Sequence, residues 1–361
     1  MEARVKSVRI AGMQAAVPVH KHSFVETPEI FTDEEAKKIY KSTGIYSRRI
    51  LPDHLCASDM CLAAAEELLK SLNWRPDSVD VLIFVSQDAD YALPATSCLI
   101  QYRLGLPKTA ACLDISLGCS GFIYGTWVAS QLLNCSNGGR ALVLCGDTSS
   151  RHLLESDRGT RPLFGDAGVA TALEIDHAAN DTFFVIGTDG SGGKNISVPA
   201  GGKRKPIMSS RKMITEEKYN KLFEESRLHL NGPEVFAFTL REVPKMVNQI
   251  LDFAELSASD IDMSVMHQAN KFILEHLRKK IGLQSDKFLI DLESYGNTSS
   301  ASVPLAICNR LKSYFDGQSR TVLLSGFGVG WSWGAMVTKI KDININGITE
   351  INDDFEKLEL T

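Results

Sequence analysis

The sequence predicts an α/β fold built twice over. Three observations carry this: short apolar runs that end on glycine or a polar residue, helical stretches between them, and recurrence of the whole series in the second half. The run from Asp80 to Gln87 matches Asp260 to Gln268 in pattern, and each leads into a helical stretch closing on Leu104-Gly-Leu106 or Ile281-Gly-Leu283. Cys112 to Ser116, running into Cys119 and an amphipathic helix through Leu133, parallels Phe288 to Leu292, Asn297 and a helix through Leu311. Two further strands follow in each half. Arg140 to Gly146 corresponds to Arg320 to Gly326, and Gly168 to Glu174 corresponds to Gly334 to Lys339. The division therefore falls at residues 1–178, carrying Cys119, and 179–361, carrying His267 and Asn297. Strands this apolar belong to parallel-rich sheets between helical layers, and ligands bind at strand carboxyl ends in such sheets. The less regular segments 19–55 and 189–232 are expected to cap the resulting cleft. The Asn-, Asp- and Glu-rich tail after Lys341 reads as a solvated extension.

Composition excludes several classes. A chain of 361 residues with 44% hydrophobic and 23% charged residues is an ordinary globular protein, and a net charge of -5 implies no nucleic-acid partner. Eight cysteines without C-x-x-C or Cys/His zinc spacing read as reduced thiols. Without a signal-like apolar leader or a long apolar run, the expectation is a cytoplasmic protein.

The chemistry concentrates at three equivalent places. Cys119 lies in Asp114-Ile-Ser-Leu-Gly-Cys-Ser-Gly-Phe122, where a strand gives way to a helix. Amide N–H groups and the helix dipole favour thiolate there, so a pKa below the usual ~8.5 is expected. His267, in Met266-His-Gln-Ala-Asn270, and Asn297, in Tyr295-Gly-Asn-Thr298, also stand between an apolar strand and a helix. Cys98, Cys112 and Cys308 are read as buried small hydrophobes. Gly326-Phe-Gly-Val-Gly330 leads into a strand-like segment, so a dinucleotide reading fails its context. Gly190-Ser-Gly-Gly-Lys194 lacks phosphate-loop spacing.

With these motifs in this order, together with Asp157-Arg-Gly-Thr160 and Phe164-Gly-Asp-Ala-Gly168, the chain resembles the thiolase-like condensing enzymes, most closely β-ketoacyl-acyl-carrier-protein synthase III. The resemblance covers nearly the whole chain. It implies a duplicated five-layer αβαβα architecture with mixed, mostly parallel sheets. It also implies an acyltransferase performing a decarboxylative Claisen condensation in fatty-acid biosynthesis, with Cys119 as nucleophile and His267 and Asn297 stabilising the enolate. By the same resemblance, backbone N–H groups of Cys119 and Val329 form an oxyanion hole, Phe327 shields the departing carboxylate, and Arg158, Asn270 and Leu93 bind substrate. Lys271, Arg278, Lys279 and Lys280 resemble a helix that docks acyl carrier protein, with Lys203, Arg204 and Lys205 as a weaker patch. No metal and no redox cofactor is implied, and coenzyme A or phosphopantetheine thioesters are the substrates. A homodimer is expected, because Leu93 stands where the family's phenylalanine enters the partner's acyl pocket.

The departures are specific. The family clamps adenine between a tryptophan and an arginine, but Lys38 stands at the tryptophan position and Ser42 where another arginine is expected. Val329 replaces a glycine. These substitutions keep open a specialised acyltransferase acting on a hydroxyl or amine or coupling acyl units; a non-catalytic pairing subunit is a second alternative, against which the intact Cys119, His267 and Asn297 set argues. Thiolase chemistry is disfavoured by Ser325 where a second cysteine is needed. Hydroxymethylglutaryl synthase chemistry is disfavoured because Asp88 and Asp90 stand in a loop that should offer glutamate.

Overall fold

In a computed structural model, the described residues are 1–23, 30–136, 138–154, 156–207 and 215–360. The chain begins with β1 (Glu2–Val5), β2 (Val8–Pro18), β3 (Lys21–Ser23), α1 (Asp33–Thr43), β4 (Ser47–Arg49) and α2 (Ala57–Ser71). Next come β5 (Val81–Val85), α3 (Thr96–Arg103), β6 (Ala111–Ile115), α4 (Gly121–Asn134), β7 (Arg140–Asp147) and β8 (Ala167–Ile175). The second half contains β9 (Thr182–Thr188), β10 (Ile196–Ser197), α5 (Glu216–Glu225), β11 (His229–Leu230) and α6 (Gly232–Phe253). It continues with β12 (Met263–Met266), α7 (Lys271–Ile281), β13 (Phe288–Leu289), α8 (Ser302–Arg310), β14 (Arg320–Gly328), β15 (Ser332–Ile340) and β16 (Asn344–Ile351).

Two six-stranded mixed sheets result, ordered β16-β2-β8-β7-β5-β6 and β1-β9-β15-β14-β12-β13. The repeat is visible strand for strand: β5 pairs in parallel with β6 and β7, as β12 does with β13 and β14. Helices α4 and α8 lie between the sheets, each touching strands of both. Their sequences are apolar around most of the circumference, as a helix covered on all sides requires; Phe122, Ile123 and Leu133 of α4 and Val303, Leu305 and Ile307 of α8 are buried. Helices α2 and α3 cover the first sheet, and α6 covers the second with α7 packed against it. This is the five-layer αβαβα arrangement.

Two end strands cross between the halves. β1 pairs with β9 in the second sheet, and β16 runs parallel to β2 in the first. The expectation of a solvated tail after Lys341 is therefore overturned. Ile343, Ile345 and Ile351 are buried, and the Leu358 N–H donates to Asp59 Oδ1 at 2.6 Å. Ile343, Ile345, Ile348 and Ile351, set in an otherwise polar composition, carried the strand signal. Among the described residues, no helix is long and apolar enough to cross a membrane.

Candidate active site

Strand β6 ends at Ile115 and α4 starts at Gly121, so Cys119 lies one residue before the helix's N-cap Ser120. The elbow is held from the opposite half. Ser120 Oγ lies 2.6 Å from Ser332 Oγ, and a Cβ at Gly326 would strike the Cys119 carbonyl oxygen. Glycine at 326 is thus required by the close approach of β14 to the nucleophile.

His267 follows β12 and is buried. Its Nδ1 lies 2.7 Å from Ser302 Oγ, which also accepts the Gln268 N–H at 3.4 Å. When Nδ1 accepts the Ser302 hydroxyl proton, the other ring nitrogen, Nε2, carries the N–H. Burial pushes the imidazole down to about 3, so it is neutral at physiological pH. The Phe327 ring stands edge-on to it, 5.8 Å between centroids.

Asn297 follows Gly296, whose φ of 65° and contact with the Leu163 carbonyl exclude a side chain. Its backbone is fixed on both sides, the N–H donating to Leu163 O at 2.8 Å and the carbonyl accepting from Gly165 N–H at 3.1 Å. Its Oδ1 accepts the Ser299 N–H at 2.9 Å, which fixes the amide orientation and leaves its N–H groups without a partner among the described residues. Asp147, at the end of β7, ties these loops together. One carboxylate oxygen accepts from Gln87 N–H at 2.8 Å and the other from Ser300 N–H and Oγ at 3.0 and 2.6 Å. Burial, reinforced by the Asp88 charge, pushes the Asp147 carboxyl up.

A cavity of about 440 Å³ is lined by Cys119, His267, Asn270, Asn297, Phe327 and Val329, six residues predicted from sequence. Cys119 is only 8% exposed. Its expected low pKa is corrected: burial pushes the thiol up to about 11, with Asp147 adding to the shift and Val329 N–H, the Cys119 amide and the Ser299 hydroxyl opposing it. The resting group is a thiol, its thiolate fraction rising about tenfold per pH unit below the pKa. Iodoacetamide labelling of the Cys119 peptide in the free protein is therefore expected to keep accelerating from pH 6 to 9. A plateau below pH 7.5 would show a depressed pKa instead.

Comparisons with known proteins identify the family. Family models described as 3-oxoacyl-[acyl-carrier-protein] synthase III and its C-terminal part match residues 113–190 and 251–340. The β-ketoacyl-[acyl-carrier-protein] synthase III of Caldanaerobacter subterraneus is 35% identical over 312 residues, covering 86% of this chain and 91% of the relative. The chain belongs to the β-ketoacyl-acyl-carrier-protein synthase III family. The corresponding protein of Symbiobacterium thermophilum is 34% identical, covering 93% of this chain and 99% of its own. A crystal structure of a 3-oxoacyl-(acyl-carrier protein) synthase from Burkholderia xenovorans superposes with a TM-score of 0.90 at 38% identity, covering 97% of this chain and 99% of that one.

Other synthase III positions fall outside the cavity. Arg158 does not line it. Its guanidinium pairs with Glu35 at 2.5 Å and lies 5.2 Å from the centre of the buried Phe31 ring. Leu93 is 85% exposed and not among the residues lining the cavity. On α7, Lys271, Lys279 and Lys280 are exposed, whereas Arg278 is engaged by Glu275 at 2.9 Å and by the Leu283 carbonyl at 3.0 Å. In the weaker patch, Lys205 pairs with Glu225. The cysteine expectation is corrected in part: Cys308 is buried, Cys112 half-buried and Cys98 exposed.

The segment 189–232 does reach the cavity, contributing Ile196, Val198, Leu228 and Leu230. Sequence reasoning missed several polar lining residues, among them Gln87, Asp147, Ser149 and His152. Their position directly after the apolar runs of β5 and β7 was the available signal.

Proposed function

We propose that the enzyme performs the condensation of its family through an acyl-Cys119 intermediate, the carrying observation being Cys119, His267 and Asn297 on one cavity with both donors oriented. Cys119 Sγ attacks the acyl thioester carbonyl, and its proton leaves with the departing thiol. A malonyl thioester on acyl carrier protein then enters. Loss of CO2 places the electron pair of the broken C–C bond on the enolate, whose oxygen accepts hydrogen bonds from neutral His267 Nε2–H and the Asn297 amide. The enolate carbon attacks the acyl-Cys119 carbonyl, whose oxyanion is bound by the Cys119 and Val329 N–H groups. Collapse releases a 3-oxoacyl thioester and the cysteine, which regains a proton. Phe327 keeps water from the site. No metal or redox group enters these steps.

The reading extends to partners. Exposed Lys271, Lys279 and Lys280 on α7 supply positive charge for an acidic carrier protein. Edge strand β6, with Leu113 38% exposed, offers unpaired backbone to a second copy, in which the protruding Leu93 reaches the partner's acyl site. Arg158 and Asn270 contact the pantetheine-bearing substrate, and the reaction belongs to the cytoplasm. Supplying acyl and malonyl thioesters together should yield one CO2 per 3-oxoacyl product. Background CO2 release with every donor, alongside acyl transfer to a hydroxyl or amine, would favour the specialised-acyltransferase reading.

A further inference from the structure

The cavity has three walls. His267 and Asn297 form the one that receives the enolate oxygen, while Ile196, Val198, Leu230 and Val235 form an apolar one. The third comes from the first half of the chain and is polar. Gln87 follows β5, and Ser149 and His152 follow β7. A side chain at Gly118, the residue before the nucleophile, would collide with Gln87 Oε1, so this wall begins beside Cys119.

Its polar groups are open: Gln87 is exposed, and Ser149 and His152 are half-buried. Among the described residues, the Gln87 side-chain amide, the Ser149 hydroxyl and His152 Nδ1 have no hydrogen-bond partner. His152 Nε2, by contrast, lies 2.7 Å from Asp88 Oδ1. Asp88 is itself fixed, its Oδ2 accepting from Thr148 N–H at 2.8 Å and Oγ1 at 3.1 Å. The carboxylate keeps a proton on Nε2, so Nδ1 is an acceptor in the neutral ring and a donor in the charged one. The Asp88 hydrogen bond raises the His152 pKa. A hydroxyl satisfies either form, because it both donates and accepts. A ketone or carboxylate satisfies only the charged form, and an alkyl chain satisfies neither.

We propose that the acyl group taken up by Cys119 carries a hydroxyl, bound by His152 with Gln87 and Ser149 beside it. This rests on the acyl-transfer reading above. Once the thioester arm occupies the apolar wall and the malonyl unit the His267–Asn297 wall, the polar wall is left for the acyl group. Sites built to hydrogen-bond a substrate hydroxyl reject the analogue lacking it far more strongly than apolar pockets discriminate by size.

The test is the initial rate of the Cys119 adduct, followed by intact mass, with butyryl-, 3-hydroxybutyryl-, 4-hydroxybutyryl-, 3-oxobutyryl- and succinyl-coenzyme A at equal concentration. At least one hydroxyacyl donor is expected to exceed butyryl by tenfold or more, and that ratio should fall toward one in His152→Leu. The ratio is internal to each protein, so a general loss of activity does not imitate the effect. Gln87→Leu gives a second variant in which the ratio should fall should His152→Leu not fold. Butyryl matching the hydroxyacyl donors, a ratio that persists in His152→Leu, or a preference for the oxo or succinyl group would overturn the proposal while leaving acyl transfer intact. No adduct with any donor would overturn the acyl-transfer reading as well.

Discussion

Cys119→Ala is expected to abolish the acyl adduct and lower condensation by on the order of 10⁴-fold or more, since removing a catalytic nucleophile leaves only binding and oxyanion stabilisation. The side chain is small and buried, so the fold should survive, with a thermal midpoint near that of the parent. The other seven cysteines are an internal comparison. Cys61, Cys145 and Cys308 are buried like Cys119, but none of them lines the cavity. Their replacement by alanine should leave adduct formation in place. An adduct that persists in Cys119→Ala would relocate the nucleophile and remove the reason for the glycine-crowded elbow at Gly326.

His267→Ala and Asn297→Ala should separate the two half-reactions. Each removes one donor aimed at the enolate oxygen, a loss worth about 10²–10³ in rate where such donors have been deleted. Malonyl decarboxylation should fall by that amount in each variant, while acylation of Cys119 changes much less, because the oxyanion hole proposed for that step consists of backbone N–H groups. His267 is neutral because it is buried, so its contribution needs no protonation step near pH 7. The decarboxylation rate of the parent should consequently show no inflection near pH 6.5 attributable to this residue. Equal loss of acylation and decarboxylation in both variants would contradict the assigned roles. Ser302→Ala tests the tautomer assignment: decarboxylation should drop while Cys119 acylation is retained, because the Nδ1 partner is gone.

The sequence disclosed the repeat and the catalytic set for one reason: both lie where strands end, and apolar runs mark strand ends clearly. β5 and β12 are buried throughout; β5 reads as a continuous hydrophobic stretch and β12 as one interrupted only by Ser264. What was not legible depended on partners distant in the chain. β1 and β16 are defined by strands of the opposite half, and in β16 a polar composition and a register shift between Ile345 and Gly347 break the period-two pattern of a strand. The rise in the Cys119 pKa arises from burial by β14 and the Asn297 loop, which local spacing about a helix N-terminus does not report. Arg278 fits a basic helix by spacing, but the fold commits it to Glu275 and the Leu283 carbonyl. Likewise, Asp88 gained meaning only when the fold brought His152 to it across 64 residues.

The most direct test is a pulse and chase followed by intact mass. The enzyme is first given an acyl thioester alone, then malonyl-acyl carrier protein after the free donor is removed. The predicted result is a single acyl mass on the Cys119 peptide, discharged in the chase with one CO2 and one 3-oxoacyl-carrier product for each adduct lost. An adduct on another residue, or one that remains through the chase while product forms at full rate, would contradict the covalent relay through Cys119.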